Sequence, residues 1–392
     1  MDVSVETPGP GLFLDEWDAL ARTSPSGVFG TAEWHAAVQK AYGDRGRAAV
    51  AAFREHDRLL GVAPFRFGSR PLIHDATLLG MGEGGYGLGD YAGILAAPGR
   101  EGDVADAVVS WLAASAGWDL LDLQQLPPGR LTKALLESIR RAGLRSLVRR
   151  HNICHVIELP STWAEYRSRL SPGARDWLER KPRKAERELG ATIELIEPDR
   201  LIEEYRTMRR FQAQRFGGQP PERESKLAAV ISAWLPVAYE RNWLRMFRLR
   251  SGSRTIGVLL GYEYEDAFYF HSAAFESLGE GAKYSLGASL LAAALHYSID
   301  HGLERFDMLR GHYDYKVRLG SEKRYNYRVM VFRDSLMGRG IEAALHIRTI
   351  LKGKRPWRIE LEGPLDVEAG SDDSDRSARA PEHLATSPVG VE

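Results

Sequence analysis

Apolar and polar residues alternate with period two along DRLLGVAPFRF (57–67). The same alternation returns in NWLRMFRLR (242–250), TIGVLLGYEY (255–264) and AFYFHSAAF (267–275). Each of these stretches predicts a strand. Only Glu265 and Asp266 separate the last two, which makes them an antiparallel hairpin with a tight reversal. Longer amphipathic or apolar runs at 101–115 and 286–300 predict helices. Each is followed by a helix-ending glycine and a short strand, GWDLLDLQQL from Gly117 and GLERFDMLRG from Gly302, with an aspartate five residues on, at Asp122 and Asp307. Another strand is expected at YNYRVMVF (325–332). Residues 163–216 read as helices, the second of them interrupted by Pro182, which should kink or split it.

The two halves therefore follow one plan of strand, turn, strand, glycine-containing loop, helix and strand. They share an Arg-x-x-Gly-Val core, Arg58 to Val62 and Arg254 to Val258. Two related α/β domains in tandem are the simplest account, with a boundary near 151–160. A chain of 392 residues is long enough for two domains and an appendage. From Glu362 the composition turns acidic and rich in Ser, Ala and Pro, which predicts a disordered tail. The tail holds eight acidic and two basic residues. With 53 charges of each sign overall, the remaining 361 residues carry six excess positive charges.

This balance gives no global argument for nucleic acid, and DNA is not expected as a partner. Cys154 is the only cysteine, which excludes an internal disulfide. The first residues lack a basic segment followed by an apolar one, and no apolar run approaches the length of a bilayer. A cytoplasmic location without a transmembrane segment is expected. His151 and His155 have a metal-like spacing, but they lead into a strand where they need not converge, so no metal site is expected. Neither a Gly-x-Ser-x-Gly elbow nor a Walker loop is present.

The candidate chemistry lies at YSLGASLL (284–291). A helix start exposes unpaired amides and the positive end of the dipole, which suits a phosphate. Gly287 and Ala288 leave the approach open, Ser285 is a possible N-cap, and Ser289 adds a hydroxyl. A plain capped core helix accounts for the same spacing equally well. From Arg175 to Arg187 there are six basic residues, which read as a solvated helix face or as an electropositive rim for an anion.

The strand pair, YSLGASLL, FDMLRG and the following YDYK, together with FGTAEWHAAV (29–38) and GLGDYAG (87–93), resemble the CelD/BcsL-type acetyltransferases of the GNAT superfamily over roughly residues 12–335. The resemblance implies an α/β (α+β) protein of two tandem GNAT-like domains in a Fem-related arrangement. Each would be a mixed, mostly antiparallel sheet flanked by helices. An N-terminal domain without cofactor would span 12–150. A C-terminal acyl-CoA-binding domain would span 151–340 with the helical insertion 163–216, then an extension at 341–361 and the tail at 362–392.

Carried over, the phosphate loop is Tyr284, Ser285, Leu286, Gly287 and Ala288. The chain departs from the commoner GNAT pattern in having Lys283 and a single central glycine. Tyr315 and Lys316 match the family's Tyr-Lys, the first suited to protonate a departing thiolate and the second to bind a phosphate or carboxylate. Asp90 and Tyr91 match its Asp-Tyr and would touch the acceptor. For a base the candidates are Asp307, His312 and His271, the last also a candidate substrate contact. The expected activity is transfer of an acetyl or other acyl group from acetyl-CoA to an amine or hydroxyl of a small-molecule or glycan acceptor, in line with a role in polysaccharide biosynthesis. The alternatives are Fem-like aminoacyl transfer from charged tRNA, which would demand a coherent basic groove for which the 175–187 stretch is thin evidence, and a GNAT-shaped binding module without catalysis.

Overall fold

The computed structural model describes residues 1–6, 14–42, 47–70, 73–81, 89–91, 93–115, 117–216, 221–276 and 284–351. Residues 87, 88 and 92 of the GLGDYAG loop, Lys283 and the acidic tail lie outside the described residues. The described residues form two compact units, one made of those up to Asn152 and from Tyr325 to Leu351, the other of those in Ile153–Arg324.

The first unit contains β1 (Asp2–Glu6), α1 (Leu14–Arg22), α2 (Ala32–Tyr42), β2 (Arg47–Glu55), β3 (Arg58–Arg70), β4 (Ile73–Leu78), β5 (Leu95–Ala96), α3 (Glu101–Ala114), β6 (Leu120–Leu126), α4 (Arg130–Arg141) and the start of β7 (Arg145–Glu158). Strands β1 to β4 pair as an antiparallel meander, and β6 joins β4 in parallel after the α3 crossover. The second unit contains the rest of β7, then α5 (Trp163–Arg169), α6 (Pro172–Leu189), β8 (Ala191–Leu195), α7 (Leu201–Phe216), α8 (Pro221–Glu240), β9 (Leu244–Ser251), β10 (Arg254–Tyr264), β11 (Ala267–Phe275), α9 (Leu286–Asp300), β12 (Arg305–Arg310) and α10 (Asp314–Arg318). Its sheet order is β7-β12-β11-β10-β9-β8, with β11 and β12 parallel across the α9 crossover. Last come β13 (Glu322–Phe332) and α11 (Leu336–Leu351).

Three features differ from the sequence pattern. The strand expected at 325–332 forms, but it belongs to the first unit and pairs with β6, Tyr327 opposite Leu126 and Phe332 opposite Leu120. Its alternating Tyr327, Val329 and Val331 enter the apolar core of that unit beside Leu121 and Leu123. A strand, β8, interrupts the stretch read as wholly helical. Pro182 neither ends nor splits α6. The helix is fixed at both ends, by Ser171, whose Oγ accepts from the Ala174 amide at 3.3 Å, by Pro172 in the first turn, and by Gly190 in the left-handed conformation at φ 59°. Its apolar face, Leu178 and Ala185, is buried in the same core as α9, and this outweighs one missing hydrogen bond.

Strands β11 and β12 pair over three positions only, Ala267 with Arg305, Phe268 with Phe306 and Tyr269 with Asp307. Beyond them both strands bend apart. On β11 the pairing with β10 shifts, Gly261 facing Phe270 and Leu260 facing Ser272, so His271 is an extra residue in a bulge that turns the strand. Gly261 makes room for the bend, since a Cβ there would lie 2.4 Å from Phe268 Cζ. On β12 the register with β7 shifts between Asp307 and Arg310, and Leu309 takes the left-handed conformation at φ 55°. Asp307 Oδ1 holds that turn by accepting from the Leu309 amide at 2.8 Å. The bend takes the carbonyls of Met308, Leu309 and Arg310 out of a regular ladder, and the Lys316 ammonium donates to all three, at 2.7, 3.0 and 2.8 Å.

Lys316→Met should leave these inward carbonyls without a donor and lower stability by about 3 kcal/mol. Urea denaturation checks this, and an unchanged midpoint would show that the lysine does not hold the strand end.

In the first unit His35 on α2 is buried, packs on Trp17 with ring centroids 5.7 Å apart, and neither ring nitrogen has a hydrogen-bond partner. Burial pushes its pKa down to about 3. Below the unfolded value of 6.5 the unfolded chain takes up a proton that the folded chain refuses, so this residue costs stability as pH falls from 6.5 toward 3. His35→Leu should remove about 2 kcal/mol of the loss measured between pH 7 and pH 5. Equal losses in the two proteins, read as urea midpoints at both pH values, would contradict it.

Candidate functional site

The end of the second unit's sheet toward which β11 and β12 run is where they part. Because α9 returns antiparallel between them, its N-terminus lies at that same end. So does the segment that follows β12, from Gly311 to α10. Sequence order and strand direction thus bring the phosphate-loop candidates and the catalytic candidates Tyr315 and His312 to one edge of one sheet.

The start of α9 is strained and incompletely capped. Ser285 sits in the left-handed region, φ 50° and ψ 58°, and its side chain makes no capping hydrogen bond. Its carbonyl takes the Ala288 amide at 2.7 Å and the Ser289 amide at 3.4 Å, and the amides of Leu286 and Gly287 precede the first intrahelical acceptor. Ser289 is buried, and its Oγ has no partner. A buried serine in a helix normally donates back to a carbonyl of the preceding turn, as Ser298 does to Ala294 O at 2.7 Å in this same helix. Gly287 and Ala288 add no bulk beyond Cβ, and no acidic residue stands in the first turn. Tyr284, also buried, lies under Lys184 of α6, whose Nζ is 5.9 Å from the ring centroid. The amide cluster, the orphan hydroxyl and the cation suit an anionic group.

Tyr315 is half-buried and packs against the apolar cluster that contains Tyr284 and Leu286. It stacks on Tyr313 with centroids 5.9 Å apart. Burial raises its phenol pKa well above the ordinary value, so the proton stays on at neutral pH. Lys316 is buried, and its three N–H groups are committed to β12. The role of phosphate ligand read from the sequence is therefore replaced by a structural one. Asp307 likewise serves the Leu309 turn within the paired part of the strands. His271 occupies the β11 bulge, half-exposed and edge-on to Tyr262 at 5.6 Å. Asp90 and Tyr91 are both buried in the first unit, where Asn326 Nδ2 donates to Asp90 O at 2.8 Å. Their placement is that of a held loop.

His312 is exposed at the end of β12 and has a companion that the sequence did not reveal. Its Nδ1 lies 2.9 Å from Nε2 of the buried His155, with the rings nearly parallel at 6°. His155 Nδ1 lies 2.7 Å from Ser321 Oγ. Burial, with Lys316, His312 and Lys323 adding positive field, pushes the His155 pKa down to about 3. The two histidines are 157 residues apart, and the only local signal, His155 at the start of VIEL, reads as core. Among the described residues no group of three or more His, Cys, Asp or Glu side chains could hold a metal ion.

No curated protein matches this chain in sequence. Residues 172–317 match the family described as acetyltransferase (GNAT) domain. Among solved structures the chain is similar to FemX, with a TM-score of 0.59 at 10% identity over 84% of this chain and 97% of that one. It is also similar to a conserved protein of unknown function from Bacteroides thetaiotaomicron, with a TM-score of 0.54 at 10% identity over 83% and 100%. L-PGS from Bacillus licheniformis gives 0.51 at 12% identity over 89% and 98%. At such identities the likeness is one of fold. The matched region, residues 172–317, takes in the parted strands and the α9 start and is similar to a GNAT acetyltransferase domain, while over most of its length the chain shares the fold of FemX.

Proposed function

We propose that this protein transfers an acyl group, acetyl first among candidates, from coenzyme A to an amine or hydroxyl of its acceptor. The observation that carries this reading is the α9 start at the parting of β11 and β12, with its open amides and the buried, unpartnered Ser289 hydroxyl. The pyrophosphate would rest on the amides of Leu286 and Gly287, beside the small side chain of Ala288, and accept from Ser289 Oγ, with Lys184 as a nearby cation. The amide-bearing arm of coenzyme A would lie along the edge of β11 from Phe270 onward, where no β12 partner is paired.

In the reaction the acceptor's lone pair attacks the thioester carbon, the carbon–sulfur bond breaks, and the thiolate takes a proton. Tyr315 supplies that proton and His312 removes the acceptor's. A glycan-related acceptor is the class that the resemblance to CelD/BcsL-type enzymes favours. Aminoacyl transfer from charged tRNA is the second reading, and the basic face of α6 beside the site favours it.

Calorimetry should show acetyl-CoA binding one to one, and Gly287→Glu, which puts a carboxylate against the phosphates while fitting a helix, should weaken it at least tenfold. Absence of binding, or binding unchanged in the variant, would sink the assignment. Thiol release from acetyl-CoA across a panel of amines and sugars then separates an enzyme from a binding module.

A further inference from the structure

The hydrogen bonds around His155 leave one consistent placement of protons. Ser321 Oγ lies 2.7 Å from the Lys316 carbonyl, an atom that can only accept, so the single hydroxyl proton of Ser321 points there. Ser321 Oγ must then accept from His155 Nδ1, which therefore carries the N–H. A neutral imidazole has one donor and one acceptor, which makes His155 Nε2 an acceptor. The proton between the rings belongs to His312 Nδ1, and the lone pair of His312 is on Nε2.

We propose that Ser321 and His155 are a positioning pair for His312, holding it in the tautomer with a basic Nε2 at the end of β12, where it takes the acceptor's proton. This deepens the acyl-transfer reading and rests on it for the identity of the reaction. His155 suits the part because it is fully buried and, with its pKa held near 3, stays neutral and accepting through the neutral range. The groups whose charge bears on it, Lys316 from α10, His312 at the end of β12 when protonated, and Lys323 from β13, are all cationic. When His312 gains a proton, its Nδ1–H keeps the same neutral acceptor, so the pair needs no rearrangement between the resting and protonated states. Lys316 links the device to the fold, since its ammonium holds the last three carbonyls of β12 and its own carbonyl orients Ser321.

The test is long-range 15N–1H NMR of the histidine rings in the full chain at pH 7.5, assigned with His155→Gln and His312→Gln. The wild type should show Nδ1–H on both residues, and Ser321→Ala should give a mixture of tautomers on both. Nε2–H on either residue in the wild type would overturn the pair. With acetyl-CoA and glucosamine as probe substrates, Ser321→Ala should lower kcat about tenfold and His155→Phe about 100-fold, with KM for acetyl-CoA unchanged. His155→Gln, whose amide oxygen can still accept from His312, should recover part of that loss. Unchanged kcat in a Ser321→Ala protein whose tautomers are mixed would overturn the positioning role. Absence of turnover in the wild type would count against the proposed acyl transfer with this acceptor and leave the ring spectra to decide the pair.

Discussion

A parallel strand pair that stops after three residues has to dispose of the backbone groups it no longer pairs. The second unit depends on how it does so. On β12 the carbonyls of Met308, Leu309 and Arg310 turn inward at the end of the sheet, toward the Lys316 ammonium. A lysine ammonium has three protons and accepts nothing, which matches three carbonyls without remainder. Burying that charge is tolerable because every proton is used, and the helix that brings it, α10, is thereby tied to the strand it follows. With the end of β12 fixed in its bent path, the gap to β11 stays open. The α9 amides, Tyr315 and His312 all lie on segments that follow the parted ends of β11 and β12 in the chain.

The first unit repeats the plan without the consequence. Strands β4 and β6 also pair in parallel over three positions, Asp75 with Leu120, Ala76 with Leu121 and Thr77 with Asp122, across the α3 crossover. Gln125 takes a left-handed φ of 60°, much as Leu309 does in β12. The first turn of α3, however, carries Glu101 and Asp103, and the preceding Arg100 is engaged by Glu55 and Asp103. An anion there would meet two carboxylates and a cation already paired. The α9 start has neither. Asp122, which aligns with Asp307 by register, is held by Arg328 through two bonds of 2.7 Å, so both aspartates serve their sheets, each with a different partner.

Much of this was legible in the sequence where the determinants are local. Period-two alternation marked β9, β10 and β11 closely, and the apolar run marked α9 as closely. The glycine signals before β6 and β12 revealed the repeat. What stayed hidden is set by distant partners. The pairing of β13 with β6 joins residues some two hundred positions apart, and nothing in YNYRVMVF names its neighbour. Lys316 read as a ligand because it stands at the Tyr-Lys position of the family that the sequence resembles, and only the bend of β12 explains its burial. Pro182 read as a break because its cost is local and the packing that outweighs it is not.

The histidine pair shows the same limit at the level of chemistry. His312 could be proposed as a base from its position after a strand, but residue type does not tell which ring nitrogen carries the proton. That is decided by an acceptor-only carbonyl two hydrogen bonds away, and the carbonyl belongs to the residue whose side chain fixes β12. The shape of the gap and the tautomer of the base are therefore coupled through one residue. A substitution that frees the Lys316 main chain, even one that leaves both histidines untouched, would loosen Ser321 and with it the direction of every proton in the series.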